Sequence, residues 1–346
     1  MIEWKYKRKI MIVGIGLRPY EKHMLPFLEP IITKLKQKGH TVIDNTYLNA
    51  PCDLTLVGDV PVEDCTSPRI LFPHSIMDTK GVHFMHDKDH VFWERLLRVK
   101  YFIPTTEELR DEVKSILGNG APIMPTVAYP KFDKYKPNKG HKVIAYLPTF
   151  NEELNADNIV LPLIDYFKTL GYTLKTKQHG VASRKNDSNI DLLSEADIVI
   201  TDLSSSGTEA ILLGIPTIFV FQEKNKQYEY WKYADDKNFY SRKTRDKGYI
   251  VYNKEELIEK IIDIRDNNII PKEPIIKDIG KHTNRAVEAI EKIYQIETKR
   301  QTEEVSFIIP SRNNLPYLKQ AYNSIRNEIE IKHPIVFLDD ASTDGT

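Results

Sequence analysis

The densest run of residues suited to chemistry lies between Ala196 and Val220. There Asp202, Ser204, Ser205, Ser206, Gly207, Thr208 and Glu209 follow directly on the apolar run Ile198-Val199-Ile200-Thr201. A short apolar run ended by small polar residues predicts a buried strand, and the residues beyond it predict a helix start. The first turn of a helix carries backbone N–H groups without intrahelical partners and the positive end of the peptide dipole. Together with serine hydroxyls, these suit a pyrophosphate. Glu209, about one turn in, is placed to accept hydrogen bonds from ribose hydroxyls. One Asp or Ser would suffice as an ordinary helix cap. Four small polar residues and an acid exceed that need, and a nucleotide-donor site is expected here.

Other clusters carry weaker chemistry. Gly14-Ile15-Gly16 follows the apolar run Lys9–Val13, but Pro19 occupies the place of a third glycine. A tight turn bordering an acceptor cleft is expected rather than a dinucleotide fingerprint. His83, His86 and His90, with Asp87 and Asp89 between them, have ligand types that suit zinc or iron. Nothing else in the chain completes such a site, so a polar loop and no metal are expected. Tyr228, Tyr230, Trp231, Tyr233 and Tyr240 read as packing and cleft wall, where a base or sugar could also stack.

The elements that must position these residues alternate. A strand and glycines precede a helix over His23–Lys38, and strands follow at Thr41–Ile43, Leu54–Val57 and Ile70–Phe72, then a helix over Thr106–Leu117. A second series begins at Val143–Leu147, with a helix over Ile159–Leu170 and strands at Thr173–Thr176, Asp197–Ile200 and Thr217–Phe221. Helices over Glu255–Asp266 and Thr283–Tyr294 close it. Pro130–Lys142, rich in Pro, Lys and Gly, reads as an interdomain linker. Two parallel α/β domains facing each other, each Rossmann-like, make the GT-B arrangement, with a ligand crevice at the carboxyl ends of the sheets. The expected division is 1–135, acceptor side; 136–298, donor side; and 299–346, a linker and a further unit.

The order of motifs resembles the CDP-glycerol glycerophosphotransferases, which polymerise teichoic-acid-type glycerol phosphate chains. Asp202–Ser205 resembles that family's Asp-Tyr-Ser-Ser, and Val127-Ala128-Tyr129-Pro130-Lys131-Phe132-Asp133 its Gly-Tyr-Pro-Arg-x-Asp. Ile144–Phe150 resembles its Tyr-Ala-Pro-Thr-Trp segment, Lys177-Gln178-His179-Gly180 its Lys-x-His-Pro, and Phe72-Pro73-His74-Ser75 a strand ending in His-Gly. The likeness spans residues 60 to 265. Leu203, Lys131, Ser75, Gly180 and Asn151 depart from it. The resemblance implies that His74 is the base toward an acceptor hydroxyl and that His179 steadies donor phosphate charge. It implies Thr149, Lys177, Asp202 and Ser204–Glu209 as donor-binding residues, while the expected turn at Gly14 and Gly16 would lie on the acceptor side. A CDP- or other NDP-activated donor and a polymer or glycan acceptor would be the partners, with no cofactor. A glycosyltransferase using an NDP-sugar, or a nucleotide-binding module without catalysis, would keep the same cradle.

Val305-Ser306-Phe307-Ile308-Ile309 opens another strand, and Ile335–Thr346 reads Ile-Val-Phe-Leu-Asp-Asp-Ala-Ser-Thr-Asp-Gly-Thr. This resembles the opening of family-2 (GT-A) glycosyltransferases, and a truncated βαβ start of such a domain, inactive alone, is expected. Across all 346 residues Lys plus Arg and Asp plus Glu both number 49, so a general nucleic-acid binder is not expected. Cys52 and Cys65 form no CxxC pair, and no signal-like or bilayer-length apolar run is seen, so a cytoplasmic protein is expected, with the inner face of the membrane as a further location.

Overall fold

The computed structural model describes residues 10–17, 25–46, 50–58, 67–73, 99–138, 140–149, 155–177, 189–202, 204–222, 247–267, 269, 276–302, 307–313, 315–328 and 335–344. The early apolar runs form β1 (Ile12–Gly16), β2 (Thr41–Asp44), β3 (Leu54–Val57), β4 (Arg69–Leu71) and β5 (Tyr101–Phe102). They pair in parallel in the order β2-β1-β3-β4-β5. The later runs form β6 (Val143–Leu147), β7 (Thr173–Thr176), β8 (Ile198–Thr201), β9 (Thr217–Val220) and β10 (Tyr249–Val251). Read from one edge, this sheet runs β7-β6-β8-β9-β10, again all parallel. The two orders are the same. In each sheet the chain begins inside, steps to one side, then crosses to the other. The strand order therefore reverses between β1 and β3, and between β6 and β8, and a parallel sheet receives ligands at the carboxyl ends beside such a reversal.

Helices α1 (Leu25–Gln37) and α2 (Glu107–Leu117) belong with the first sheet's sequence. Thr106 caps α2, its side chain accepting from Leu109 N–H at 3.1 Å, and Glu107 and Glu108 follow in the first turn. The second series contributes α3 (Asp157–Val160), α4 (Ile164–Thr169), α5 (Ile190–Glu195), α6 (Ser205–Leu212), α7 (Lys254–Asp266) and α8 (His282–Thr302). At the start of α7, Asn253 accepts from Glu256 N–H while Glu256 reaches back to Tyr252 N–H, both at 2.9 Å.

Every residue of β6 is buried, because helices cover both faces of its sheet. Ala145 and Leu147 join Ile190, Leu193, Ala210 and Leu213 on one face. Ile144 and Tyr146 join Val160, Phe167, Leu257 and Ile261 on the other. By packing, the chain separates into residues 1–291 and 292–346. The second unit holds β11 (Phe307–Ser311), α9 (Leu315–Glu328) and β12 (Ile335–Asp339), a strand–helix–strand unit with a parallel pair. Asp344 accepts from Leu315 N–H at 3.2 Å and so caps α9.

Three expectations need correction. Gly14-Ile15-Gly16 is not a turn but the second half of β1. Gly14 is there because a Cβ would stand 2.8 Å from Asn45 Cβ and 2.9 Å from Cys52 Sγ. The helix expected over Ile159–Leu170 is broken by a 3-10 turn at Leu161–Leu163, since Pro162 has no N–H to continue it. Pro130–Lys142 is not a loose linker at its start. Pro130–Lys134 forms a 3-10 turn whose Pro130, Lys131 and Phe132 are buried, and Phe132 and Tyr135 pack into the second sheet's core.

Gly207 shows the same constraint on α6. A Cβ there would lie 2.5 Å from Phe219 Cε1 and 2.6 Å from Thr201 Cγ2, on β9 and β8. Gly207→Ala should therefore cost about 1–3 kcal/mol of stability through overpacking, measured by urea unfolding. A loss below about 0.5 kcal/mol, within the range of neutral surface changes, would show that α6 does not sit this close to the sheet.

Candidate functional site

The reversal between β6 and β8 is closed by one carboxylate. Asp202, directly after β8, is 1% exposed. Its two oxygens accept from Thr149 N–H at 3.0 and 2.9 Å, and one also accepts from Ser204 N–H at 3.0 Å. The adjacent Thr201 hydroxyl donates to Leu147 carbonyl at 2.7 Å. The loop leaving β6 and the start of α6 are thus tied together at the carboxyl edge of the sheet. Ser204 is the N-cap of α6, with extended backbone angles, and its Oγ accepts from Ser206 N–H at 3.4 Å. Ser205 and Ser206 are half-buried in the first turn. An eight-residue helix therefore begins at the place where parallel sheets receive ligands, with serines in its opening turn.

Behind that turn lies a charged hub. Glu209, in the second turn of α6, is 2% exposed. Lys131 Nζ donates to its two oxygens at 2.6 and 2.7 Å, Tyr129 hydroxyl donates at 2.6 Å, and Asn189 Nδ2 at 2.9 Å. The same Asn189 nitrogen donates to Ser206 Oγ at 2.8 Å. Burial holds the Tyr129 phenol well above its usual value, helped by the charge of Glu209 and the hydrogen bond to it. The hydroxyl is therefore a fixed donor. These four contacts occupy the lone-pair directions a carboxylate offers. The ribose contact expected of Glu209 would need one donor to withdraw, and Asn189 is the half-buried one among them.

The Tyr129–Asp133 turn is anchored at its other end by α8. Asp133 accepts from the backbone N–H groups of Gly280, His282 and Thr283 at 2.8, 3.0 and 2.6 Å, capping the helix. Tyr129 N–H donates to His282 Nδ1 at 3.2 Å. Burial lowers the His282 imidazole below the usual histidine value, in keeping with a neutral ring that accepts there. Farther along α8, Glu291 accepts from Lys38 Nζ at 2.5 Å and lies 3.1 Å from His40 Nε2, next to β2. Phe27 of α1 packs on Tyr129 with ring centroids 5.2 Å apart, and Lys131 Nζ stands 5.1 Å from the Phe27 ring centre.

Of the residues expected at the donor site, the structure brings together Thr149, Asp202, Ser204, Ser205, Ser206 and Glu209. Gly207 and Thr208 are buried in the helix, Gly207 against β8 and β9. Lys177 follows β7, the strand beside β6, and its N–H donates to Tyr146 carbonyl at 3.3 Å. Gly14 and Gly16 lie in β1, next to the reversal of the first sheet. His74 and His179 lie outside the described residues, as do Ser75, Asn151, Gly180, Leu203, the cluster His83, His86 and His90, and the aromatic series Tyr228–Tyr240. Among the described residues no group of three or more His, Cys, Asp or Glu could hold a metal ion, and no helix is long and apolar enough to cross a membrane. Asn189 was not anticipated: nothing in its flanking sequence signals it. The Lys131–Glu209 pairing joins two motifs that were each visible, but their contact spans 78 residues.

No family model matches the chain. A teichoic acid glycerol-phosphate primase from Staphylococcus aureus (strain NCTC 8325 / PS 47) is 36% identical over 131 residues, which are 35% of this chain and 33% of that protein. The matched stretch thus spans about a third of the curated relative's length. Among solved structures, the wall teichoic acid polymerase TagF superposes with a TM-score of 0.51 at 15% identity, over 85% of this chain and 90% of that one. A UDP-N-acetylglucosamine 2-epimerase from Listeria monocytogenes, described as putative in its own report, superposes with a TM-score of 0.53 at 12% identity, over 83% and 97%. With the two equivalent parallel sheets, these likenesses show a GT-B fold of two Rossmann-like halves.

Tyr129→Phe removes one charge-assisted hydrogen bond to Glu209 without opening a large cavity. It should lower stability by about 1.5–3 kcal/mol in urea or thermal unfolding. Unchanged stability would show that the phenol does not hold Glu209.

Proposed function

We propose that this chain is a transferase that moves glycerol phosphate, or a related alditol phosphate, from a CDP-activated donor to a cell-surface polymer. The observation that carries the reading is the start of α6 at the β6–β8 reversal, where Asp202 fixes a serine-lined helix N-terminus. Its support comes from the sequence likeness to a protein named a teichoic acid glycerol-phosphate primase and the shared fold with a wall teichoic acid polymerase. Ser204, Ser205 and Ser206, with Thr149 and Lys177 alongside, would hold the diphosphate. The acceptor would enter from the first half, past the carboxyl ends of β1 and β3, where Gly14 and Gly16 lie. Residues 1–135 and 136–298 would then be the acceptor and donor domains. The strand–helix–strand unit of 307–339 would open a further, GT-A-type domain.

The chemistry is one in-line displacement at phosphorus. The acceptor hydroxyl oxygen attacks the phosphorus that carries glycerol, the bond to the bridging oxygen breaks, and CMP leaves with that bonding pair. His74 would take the hydroxyl proton, and His179 would meet the charge on the diphosphate. A protein active at the inner face of the membrane would find both a cytoplasmic nucleotide and a membrane-linked polymer there.

Two measurements test this. Incubation with CDP-glycerol and a glycerol phosphate-primed acceptor should release CMP and extend the acceptor. His74→Ala should reduce that turnover by roughly 10²–10⁴-fold, the span of general acid–base catalysis. The Ser204→Ala/Ser205→Ala double variant should bind CDP measurably more weakly in calorimetry, since each charge-assisted bond to phosphate is worth about 1.5–3 kcal/mol. Tight binding of UDP with none of CDP would replace the alditol phosphate reading with transfer from a sugar nucleotide. Binding of neither nucleotide would reject the donor site altogether.

A further inference from the structure

Glu209 raises an electrostatic problem for any anion held by α6. It sits one turn behind the serines, in the same helix, and is 2% exposed. A bare carboxylate there would oppose a diphosphate, and burial would strengthen the opposition because water screens little of it. The structure answers with Lys131, whose Nζ contacts both Glu209 oxygens and which is itself only 7% exposed. The pair is close to neutral as a unit. What then faces the ligand is the positive end of the helix and the serine donors.

Glu209 also reaches the serines through one side chain. Asn189 Nδ2 donates to Glu209 and to Ser206 Oγ, so both its N–H groups are committed. Ser206 Oγ accepts that bond, which leaves its hydroxyl proton to donate elsewhere. Asn189 Oδ1 is buried with no hydrogen-bond partner among the described residues. A buried, unmatched acceptor beside the serine turn is costly unless something else supplies a donor, and a nucleotide's sugar hydroxyl is such a group.

Resting on the donor reading above, we propose that Lys131 is a positioning residue for the donor phosphates. It holds and neutralises Glu209, so that Glu209 and Asn189 can fix Ser206 as a phosphate donor without repelling the anion. Lys131 acts through Glu209, because its own side chain is enclosed by Glu209 and the Phe27 ring.

The test separates charge from structure by comparing a charged and an uncharged probe. CDP and cytidine are titrated against the full chain, with melting temperatures recorded for each variant. Lys131→Met should weaken CDP by about tenfold, the scale of a helix-terminus charge effect in a partly buried setting, while cytidine changes little. Lys131→Arg, which restores the cation, should recover CDP binding. Lys131→Met/Glu209→Gln, which removes both charges, should bind CDP more tightly than Lys131→Met alone. Should Lys131→Met fail to fold, Lys131→Gln, whose amide can still donate to Glu209 but carries no charge, takes over the test, again losing CDP affinity with cytidine spared. Equal losses for CDP and cytidine, undiminished CDP binding, or a double variant as weak as the single would each overturn the role while leaving the donor site standing. A wild-type chain that binds neither CDP nor UDP overturns the donor reading and this role together.

Discussion

The buried contact between Lys131 and Glu209 is the constraint on which the arrangement of the site depends. Taking both charges out of water is costly, and the pair is offset only by close geometry and full hydrogen bonding. Both are present: Lys131 meets the two oxygens, and Tyr129 and Asn189 complete the carboxylate. Removal of one partner from such a pair typically costs about 3–5 kcal/mol, far more than an exposed ion pair is worth. The surface pairs elsewhere in the chain, such as Lys168 with Asp165, hold nothing comparable in place. The buried pair fixes the 3-10 turn at Pro130–Lys134 against α6, and with it the turn's other end. There Asp133 caps α8 and Tyr129 bonds His282. Phe27 closes over the same turn from α1. Elements of both sheets' sequences therefore meet at one polar knot.

That knot gives the helix start its precision. Asp202 fixes α6 from the front, through Thr149 and Ser204, and Glu209 fixes it from behind. Gly207 allows the helix to lie within contact of Phe219 and Thr201, which a larger residue would prevent. A helix N-terminus is a useful anion site only where it is held at the correct place and where its own side chains do not cancel its field. Here Asp202 and Glu209 hold the helix, and Lys131 offsets the charge of Glu209. The two sheets share one strand order, so each half offers a reversal at its carboxyl edge. Among the described residues only the second carries the serine-lined helix, which sets the halves apart on a common frame.

Much of this was legible in the sequence, and the reasons differ by element. Val143–Leu147 and Leu54–Val57 are fully buried parallel strands, and continuous apolar runs announce that directly. The Ser204 cap and the start of α6 follow from local preferences of a few adjacent residues. The glycines of β1 misled because a glycine beside an apolar run usually marks a turn, whereas Gly14 answers to Asn45 and Cys52, more than 30 residues on. The same limit hid the role of Lys131. Within its own segment it reads as part of a polar, Pro- and Lys-rich connector, and its burial is decided by Glu209, 78 residues away. Local patterns report local energetics. Pairings across the chain depend on the assembled sheets.

The most direct test of the account is a crystal structure of the chain with CDP bound. The account predicts diphosphate oxygens within about 2.7–3.2 Å of the Ser205 N–H and of the Ser204, Ser205 and Ser206 hydroxyls, with the Lys131–Glu209 contact intact behind them. A diphosphate bound at the β1–β3 edge instead, or one that draws Lys131 away from Glu209, would contradict it.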